Sequence, residues 1–245
     1  MTHYRNIVIL TGAGVSAESG LDTFRGEEGL WTRYDPYKLA TPEAFAEDPD
    51  KVHEFYNLRR AAVASAQPNA AHLALADWEA RHTAETGGNF LLITQNVDDL
   101  HERGGSRRLL HMHGELAKSR CLHCGDIRDG LAELTTSSAC AECGAPGGLR
   151  PNVVWFGEMP MGLDEIRAAL DACNLFVAIG TSSTVYPAAG FVGQVRALGR
   201  AHTVEINLAP SEGHSAFAEC IYGSASKVVP AFVDLLTRGP ISRGL

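Results

Sequence analysis

The chain has no apolar run approaching the ~18 residues that would suggest a membrane-spanning helix, which sets aside an integral helical membrane protein. It also lacks an excess of positive charge. Lys and Arg number 21 against 29 Asp and Glu, a formal net charge of −8. Affinity for nucleic acid comes largely from Lys and Arg at phosphates, so direct nucleic-acid binding is not expected. An acidic balance is compatible with basic protein partners, although many soluble proteins carry one for solubility. No signal or transit segment precedes the first apolar stretch, which starts almost at once in MTHYRNIVILTGAG; the expectation is a cytoplasmic protein. Internal repeats and low-complexity segments are absent. Six cysteines are present, four of them in two close pairs. In a cytoplasmic chain such pairs point to metal rather than to disulfides.

With 245 residues, 45% hydrophobic and 20% charged, the chain suits one α/β domain carrying a smaller insertion. Residues 6–10, 90–94, 175–179 and 202–206 are short, β-rich apolar runs ending at TGAG, TQNVDD, GTSS and NLAP. Continuous apolar strands separated by helical stretches predict a parallel sheet covered on both faces. Ligands of such sheets bind beyond the carboxyl ends of the strands, so the four turns are expected to be neighbours in space. Helices are predicted over 49–66, capped by Asp48, and over about 70–82, capped by Asn69. Further helices are predicted over 163–173 and 188–198, with a last one after Pro230. Residues 114–150 break the pattern with short polar segments, several glycines and all four paired cysteines; they read as a small inserted module.

Gly12-Ala13-Gly14-Val15-Ser16-Ala17 follows the first strand and fits G-x-G-x-x-A, a variant of the dinucleotide fingerprint. Glycines allow a tight turn and close approach to a pyrophosphate, and the N–H groups of a following helix would point at the anion. A plain tight turn would read the same way, although the preceding strand favours the functional reading. A standard dinucleotide domain has a second strand ~20 residues on, ending in an acid that holds the ribose. Here the region reads TFRGEEGLWTRYDPYKL, with no apolar strand. It resembles a binding loop and argues against an ordinary hydride-transfer dehydrogenase.

Cys121-x2-Cys124, fifteen residues, then Cys140-x2-Cys143 is the spacing of two metal knuckles. Four thiolates suit one tetrahedral Zn²⁺ and leave no open position for water, so the role expected is structural. Cys173 and Cys220 read as small buried hydrophobes. The turn Thr94-Gln95-Asn96-Val97-Asp98-Asp99 can bond a ribose, an amide or a water; equally, Asn96 or Asp98 can cap the next helix. In His111-Met112-His113-Gly114-Glu115, an imidazole suits a general base, and a histidine followed by glycine suits close approach of a ligand. His111 reads as a structural residue, and the role of His113 stays open at this level.

Taken together, GAGVSAESGLDTFRG at 12–26, TQNVDDLHERGG at 94–105, HMHGEL at 111–116, the four-cysteine module, RPNVVWFGE at 150–158, GTSSTVYPAAG at 180–190 and EIN at 205–207 resemble the sirtuin family. The motifs occur in family order and span nearly the whole chain. The resemblance implies an α/β fold: a Rossmann-like parallel sheet with helices on both faces, plus a small domain made of a zinc ribbon and a helical insertion. The division implied is 1–26, 85–113 and 154–245 for the NAD-binding part, 27–84 for the helical insertion and 114–153 for the ribbon. The reaction the resemblance implies consumes NAD rather than using it for redox. The acyl oxygen of a modified lysine attacks the ribose carbon as nicotinamide leaves, and His113 acts as base on a ribose hydroxyl. That hydroxyl attacks the acyl-imidate, and water completes release of free lysine and O-acyl-ADP-ribose.

By the same resemblance, Gly12, Ala13, Gly14, Ser16, Ala17, Ser19, Phe24, Arg25 and Trp31 belong to the NAD loop. Gln95, Asn96 and Asp98 lie near the ribose and nicotinamide, with Asn96 and Asp98 joining His113 as catalytic residues. Gly180, Thr181, Ser182, Asn207 and Ala225 contact the diphosphate and adenosine half. Val154, Trp155, Phe156 and Gly157 pair with the substrate backbone by β-augmentation. Tyr56 and Arg59 stand three residues apart on a predicted helix and so share a face. Alone, the pair could be a surface Arg beside a packed Tyr. It resembles the carboxylate clamp of sirtuins acting on succinyl-, malonyl- or glutaryl-lysine, which implies acidic acyl-lysine proteins as substrates, with some deacetylation. Two rivals stand beside this: another NAD enzyme, either an ADP-ribosyltransferase or a redox enzyme, and a catalytically silent binding module. Acidic charge and the Asn96, Asp98 and His113 set disfavour the second.

Overall fold

The computed structural model describes residues 4–23 and 30–238. Its larger sheet is built from β1 (Asn6–Thr11), β2 (Asn89–Thr94), β3 (Leu109–His111), β7 (Leu175–Ile179), β8 (His202–Asn207) and β9 (Glu219–Tyr222). The spatial order is β3-β2-β1-β7-β8-β9, and every pairing is parallel. The smaller sheet is antiparallel, with β4 (Gly114–Cys121) between β5 (Ile127–Asp129) and β6 (Leu149–Val153). The four apolar runs read from the sequence are the four central strands. The two edge strands escaped because they are short and only partly buried, so no apolar run marks them.

Alternation along β1 divides the core into two layers. Ile7 and Ile9 face one side, packed with Leu75 and Trp78 of α4 (Ala70–Thr86) and Val229 and Phe232 of α8 (Ala225–Arg238). Val8 and Leu10 face the other, against Ile166 of α6 (Leu163–Ala172) and Val195 of α7 (Phe191–Leu198). A third core belongs to the smaller part of the molecule. It joins Phe45 of α2 (Pro42–Glu47), Val52 and Phe55 of α3 (Pro49–Ser65), Leu116 of β4 and Trp155. Two short helices, α1 (Leu30–Arg33) and α5 (Leu100–Arg103), complete the fold.

Helix starts follow the expected caps. The Asp48 carboxylate accepts the Lys51 N–H at 3.1 Å, and Asn69 Oδ1 accepts the Ala71 N–H at 2.9 Å. Three ends differ. Helix α4 runs on past residue 82, because Gly87, at φ 58, supplies the left-handed residue that stops it. The stretch expected as one helix over 188–198 opens with a 3₁₀ turn, Ala188–Gly190. Helix α8 starts at Ala225 and passes through Pro230. A proline removes one backbone bond, but burial of Ala225, Val229, Phe232 and Val233 on one stripe outweighs that loss.

Register decides where the site lies. Thr11 is opposite Thr94 on one side and Ile179 on the other, and Ile179 is opposite Ile206. Four strands therefore end level, and their turns meet in one place.

Candidate active site and metal centre

The turn after β1 leans on the turn after β7. The Gly12 N–H donates to the Ile179 carbonyl at 3.0 Å and the Gly14 N–H to the Gly180 carbonyl at 2.9 Å. A Cβ on Gly12 would fall 2.7 Å from the Gly180 oxygen, and one on Gly14 would fall 2.7 Å from the Gly180 Cα. Gly180 itself sits at φ 63. The glycines are thus required by close approach of two loops, in addition to any approach of a phosphate. Two 3₁₀ turns, Ala13–Val15 and Ala17–Ser19, follow where an α-helix N-terminus was expected.

Beyond the strand ends lies a cleft of about 560 Å³. Gly12, Ala13, Gly14 and Ala17 form one part of its wall, and Gln95, Asn96 and His113 another. Gly180, Thr181, Ser182, Asn207 and Ala225 line the end above β7 and β8. Tyr56 and Arg59, with Val154, Trp155, Phe156 and Gly157, line the side facing the smaller sheet. Ser16 and Asp98 border a second cavity of about 70 Å³, which also touches Ala13, Asn96 and Arg59. Ser19 borders neither cavity; its hydroxyl accepts from Asn69 Nδ2 at 3.0 Å. Phe24, Arg25 and the Trp31 side chain lie outside the described residues.

His113 follows β3, and its Nδ1 stands 3.1 Å from the Gln95 carbonyl. A carbonyl only accepts, so Nδ1 carries the hydrogen and Nε2 keeps its lone pair. Burial holds this imidazole below its ordinary range, opposed by the Gln95 contact. The ring is therefore a neutral base at neutral pH. Gly114 has φ 77, and a Cβ there would lie 2.1 Å from the Asn152 oxygen. The neighbouring strand β6, rather than a ligand, accounts for glycine beside this histidine.

Behind the cleft lies a buried polar network that the sequence motifs did not reveal. Asn69 N–H donates to His72 Nδ1 at 3.2 Å, so His72 carries its hydrogen on Nε2, which faces Ser16 Oγ at 3.3 Å. Ser16 Oγ also accepts from Asn96 Nδ2 at 3.1 Å and donates to Asp98 Oδ2 at 3.1 Å. Asp98 Oδ1 accepts the Leu100 N–H at 3.1 Å. Asp98 thus caps the following turn and faces the second cavity at once. Burial raises its carboxyl, while the Leu100 and Ser16 bonds oppose that rise. Burial pushes His72 down to about 4. Only the fold could show this network, because its members come from three separate segments.

The wall carrying Tyr56 is also cross-braced. Trp155 Nε1 donates to the Tyr56 hydroxyl at 2.9 Å. Arg150 lies over the Trp155 ring and donates to Glu158 Oε1 at 2.7 Å, while the Trp155 N–H donates to Glu158 Oε2 at 2.8 Å. The backbone N–H groups of Val154 and Phe156 are taken by the carbonyls of His113 and Ala40, at 2.8 and 2.9 Å. Residues 154–157 lie outside any strand in this structure. Burial pushes the Tyr56 phenol up to about 12, so it stays a donor. Burial lowers the Arg59 guanidinium, opposed by Tyr56, Asp98 and Asp22.

The paired cysteines converge in the smaller sheet. Cys121 Sγ is 3.8 Å from Cys143 Sγ, Cys124 Sγ is 3.7 Å from Cys140 Sγ, and all four sulfurs lie within 4.8 Å of one another. Thiolates bound to Zn²⁺ at ~2.3 Å in a tetrahedron have edges of about 3.8 Å. The four-thiolate set is of the kind and spacing that hold a structural Zn²⁺, and the His123 N–H donates to Cys121 Sγ at 3.4 Å. Cys173 is buried, as expected of a small hydrophobe, whereas Cys220 is only partly so and lies on edge strand β9.

The Sir2 family profile matches residues 12–187. An NAD-dependent protein deacylase of Caulobacter vibrioides is 56% identical over 230 residues, covering 94% of this chain and 96% of the relative. A solved Sir2 homologue mutant in complex with ADP-ribose superposes with a TM-score of 0.88 at 40% identity, covering 99% of this chain and 95% of that one. A Sir2 mutant with a deacetylated p53 peptide and 3'-O-acetyl ADP-ribose gives a TM-score of 0.78 at 27% identity, covering 96% and 94%. The chain belongs to the Sir2 family.

Proposed function

We propose that this enzyme, an NAD-dependent protein deacylase, removes acyl groups ending in a carboxylate from protein lysines, with deacetylation as a second activity. The observation that carries the acyl preference is the shared cleft: Tyr56 and Arg59 line the same cavity as His113 and the Gly12–Gly14 turn. The Tyr56 oxygen accepts from Trp155, which leaves its proton to donate, and a guanidinium stays cationic even when buried. A carboxylate tail between them would receive two charge-assisted bonds. An acetyl group offers no such partner.

In this reading NAD lies across the glycine turn, with its adenosine half toward Gly180, Thr181, Ser182, Asn207 and Ala225 and its nicotinamide toward Asn96 and Asp98. The buried Ser16 bonds keep the Asn96 amide and the Asp98 carboxylate facing that end. His113 Nε2 takes a proton from a ribose hydroxyl, and the bond from its Nδ1 to Gln95 keeps the lone pair directed outward. Substrates filling the cleft would displace water from the reacting centre and limit idle hydrolysis of NAD. Since Val154 and Phe156 spend their N–H groups internally, a substrate strand along 154–157 would bond mainly to carbonyls there. The Zn²⁺ site contributes rigidity to 114–153, the ribbon part of the division proposed from the sequence. Among the described residues no helix is long and apolar enough to cross a membrane. A cytoplasmic place is part of the same reading, supported by six cysteines that form no disulfide, four of them converging as thiol ligands.

The test compares Arg59→Met with the parent on matched succinyl- and acetyl-lysine peptides, following nicotinamide and free lysine by mass spectrometry. Desuccinylation should fall about a hundredfold, the worth of a charged hydrogen-bond pair, while deacetylation changes little. Equal loss of both activities would refute the clamp.

A further inference from the structure

His111 takes no part in the chemistry above, yet it is held as firmly as His113. The two rings stand two residues apart and reach consecutive carbonyls: His113 Nδ1 to Gln95 and His111 Nδ1 to Asn96, each at 3.1 Å. His111 ends β3 and His113 lies in the turn that follows; between them the Met112 N–H donates to the Thr94 carbonyl at 3.0 Å, which holds this segment alongside residues 94–96. The two rings differ at Nε2. That of His113 faces the cleft. That of His111 stands 2.6 Å from Glu102 Oε1, on α5.

Both partners of His111, a carbonyl and a carboxylate, only accept. Satisfying both needs a hydrogen on each nitrogen, which is the imidazolium. The neutral ring can keep one bond only. The groups facing it favour the charge. Glu102 on α5 and Glu115 on β4 lie on its acidic side, and Asp98 in the turn is in electrostatic reach. Lys118 binds Glu115 at 2.7 Å, and buried His101 on α5 opposes a second positive charge. On balance the ring is held above its ordinary range; burial opposes this, and Glu102 is the largest favourable cause. Ligand-type atoms of Glu102, His111 and Glu115 lie within 4.8 Å of one another, but Lys118 already neutralises Glu115. The cluster is an ion-pair network rather than a cation site.

We propose that His111 is a positioning residue: its protonated ring ties the turn carrying Gln95, Asn96 and Asp98 to α5, so that NAD capture weakens when the ring is neutral. This rests on the reading of that turn as the ribose and nicotinamide subsite. Release of nicotinamide from NAD by the parent enzyme tests that reading separately, before any variant is made.

The test is the pH profile of kcat/KM for NAD, at saturating acyl peptide, for the zinc-loaded parent, Glu102→Gln and His111→Gln. The parent should show an acid limb from His113 and an alkaline limb from His111. Glu102→Gln should move the alkaline limb about one unit or more toward lower pH and leave the acid limb in place. His111→Gln can still donate to the Asn96 carbonyl but does not titrate. It should remove the alkaline limb and raise KM for NAD at neutral pH about threefold to tenfold, with kcat changed less, the worth of one weakened hydrogen bond. Profiles that superimpose across the three proteins would overturn the proposal. So would a ring proton shift in NMR that shows His111 neutral at pH 7 in the parent. If His111→Gln does not fold, Glu102→Gln decides alone, since the Glu102 side chain is 39% exposed and its loss leaves packing intact.

Discussion

At the scale of single residues, the site works by assigning protons. His113 and His72 are both neutral, but by different routes: His113 has its Nδ1 hydrogen on Gln95, and His72 has its Nε2 hydrogen toward Ser16. In the proposed reaction, turnover requires His113 unprotonated. Its lowered range puts the loss of kcat/KM at pH values below an ordinary imidazole, and His113→Ala should abolish deacylation while leaving the melting temperature nearly unchanged. His72 has a stability consequence of opposite direction to that of His111. Its folded value is depressed to about 4, so the unfolded chain binds the proton first. Stability from this group is fully present above about pH 6.5 and declines as pH falls towards 4, by on the order of 3 kcal/mol. Thermal melts across that range should steepen in the parent and flatten in His72→Gln. His111, raised, contributes below the ordinary imidazole range and loses its contribution as pH rises through its folded value.

At the scale of elements, a helix cap and a loop-to-loop contact hold the strand-end turns in place. Asn69 caps α4 and also donates from Nδ2 to the Val15 carbonyl at 2.8 Å, linking the helix to the glycine turn. Asn69→Ala should lose both, about 2 kcal/mol from a cap of ~1 and a buried bond of ~1, read as a lower denaturant midpoint at constant slope. The glycine turn tolerates no side chain. A methyl on Gly12 would meet the Gly180 oxygen and Thr181, so Gly12→Ala should cost about 1–3 kcal/mol. It should also raise KM for NAD, because Gly180 lines the same cleft. The four central strands and the starts of α3 and α4 were legible from apolar runs and capping residues. The start of α8 was not, because local proline chemistry was overruled by an apolar stripe that acquires meaning only against the sheet.

At the scale of the whole molecule, the smaller part depends on a core that is thin without its metal. Leu116, Trp155, Phe45 and Phe55 supply much of its apolar packing, and Asn57 ties α3 to the ribbon by exchanging bonds with Leu134, at 2.9 and 3.0 Å. Chelating the zinc should therefore raise amide exchange across 114–153 and loosen α3, while the layers around α4 and α8 keep their protection. Exchange that rises evenly across the chain would contradict a local structural role. Acyl selectivity should suffer before NAD binding does, since Tyr56 and Arg59 ride on α3.

The sequence by itself determined the class of sheet, the glycine turn after the first strand, the thiol set and the residues to suspect, because periodicity, knuckle spacing and glycine placement are local or nearly so. It also left real ambiguities. Asp98 could be a cap or a binding residue and proves to be placed for both. Glycine at 12, 14 and 114 suggested a nearby ligand, whereas close contacts with the backbone of Gly180 and Asn152, far along the chain, already require it. Only tertiary structure decided which nitrogen of each histidine holds the proton, which carboxylate neutralises which cation, and that Ser16, His72, Asn96 and Asp98 form one network. Those facts depend on distances between segments far apart in the chain, and hydrogen bonds of 3 Å reach have no signature in the order of residues.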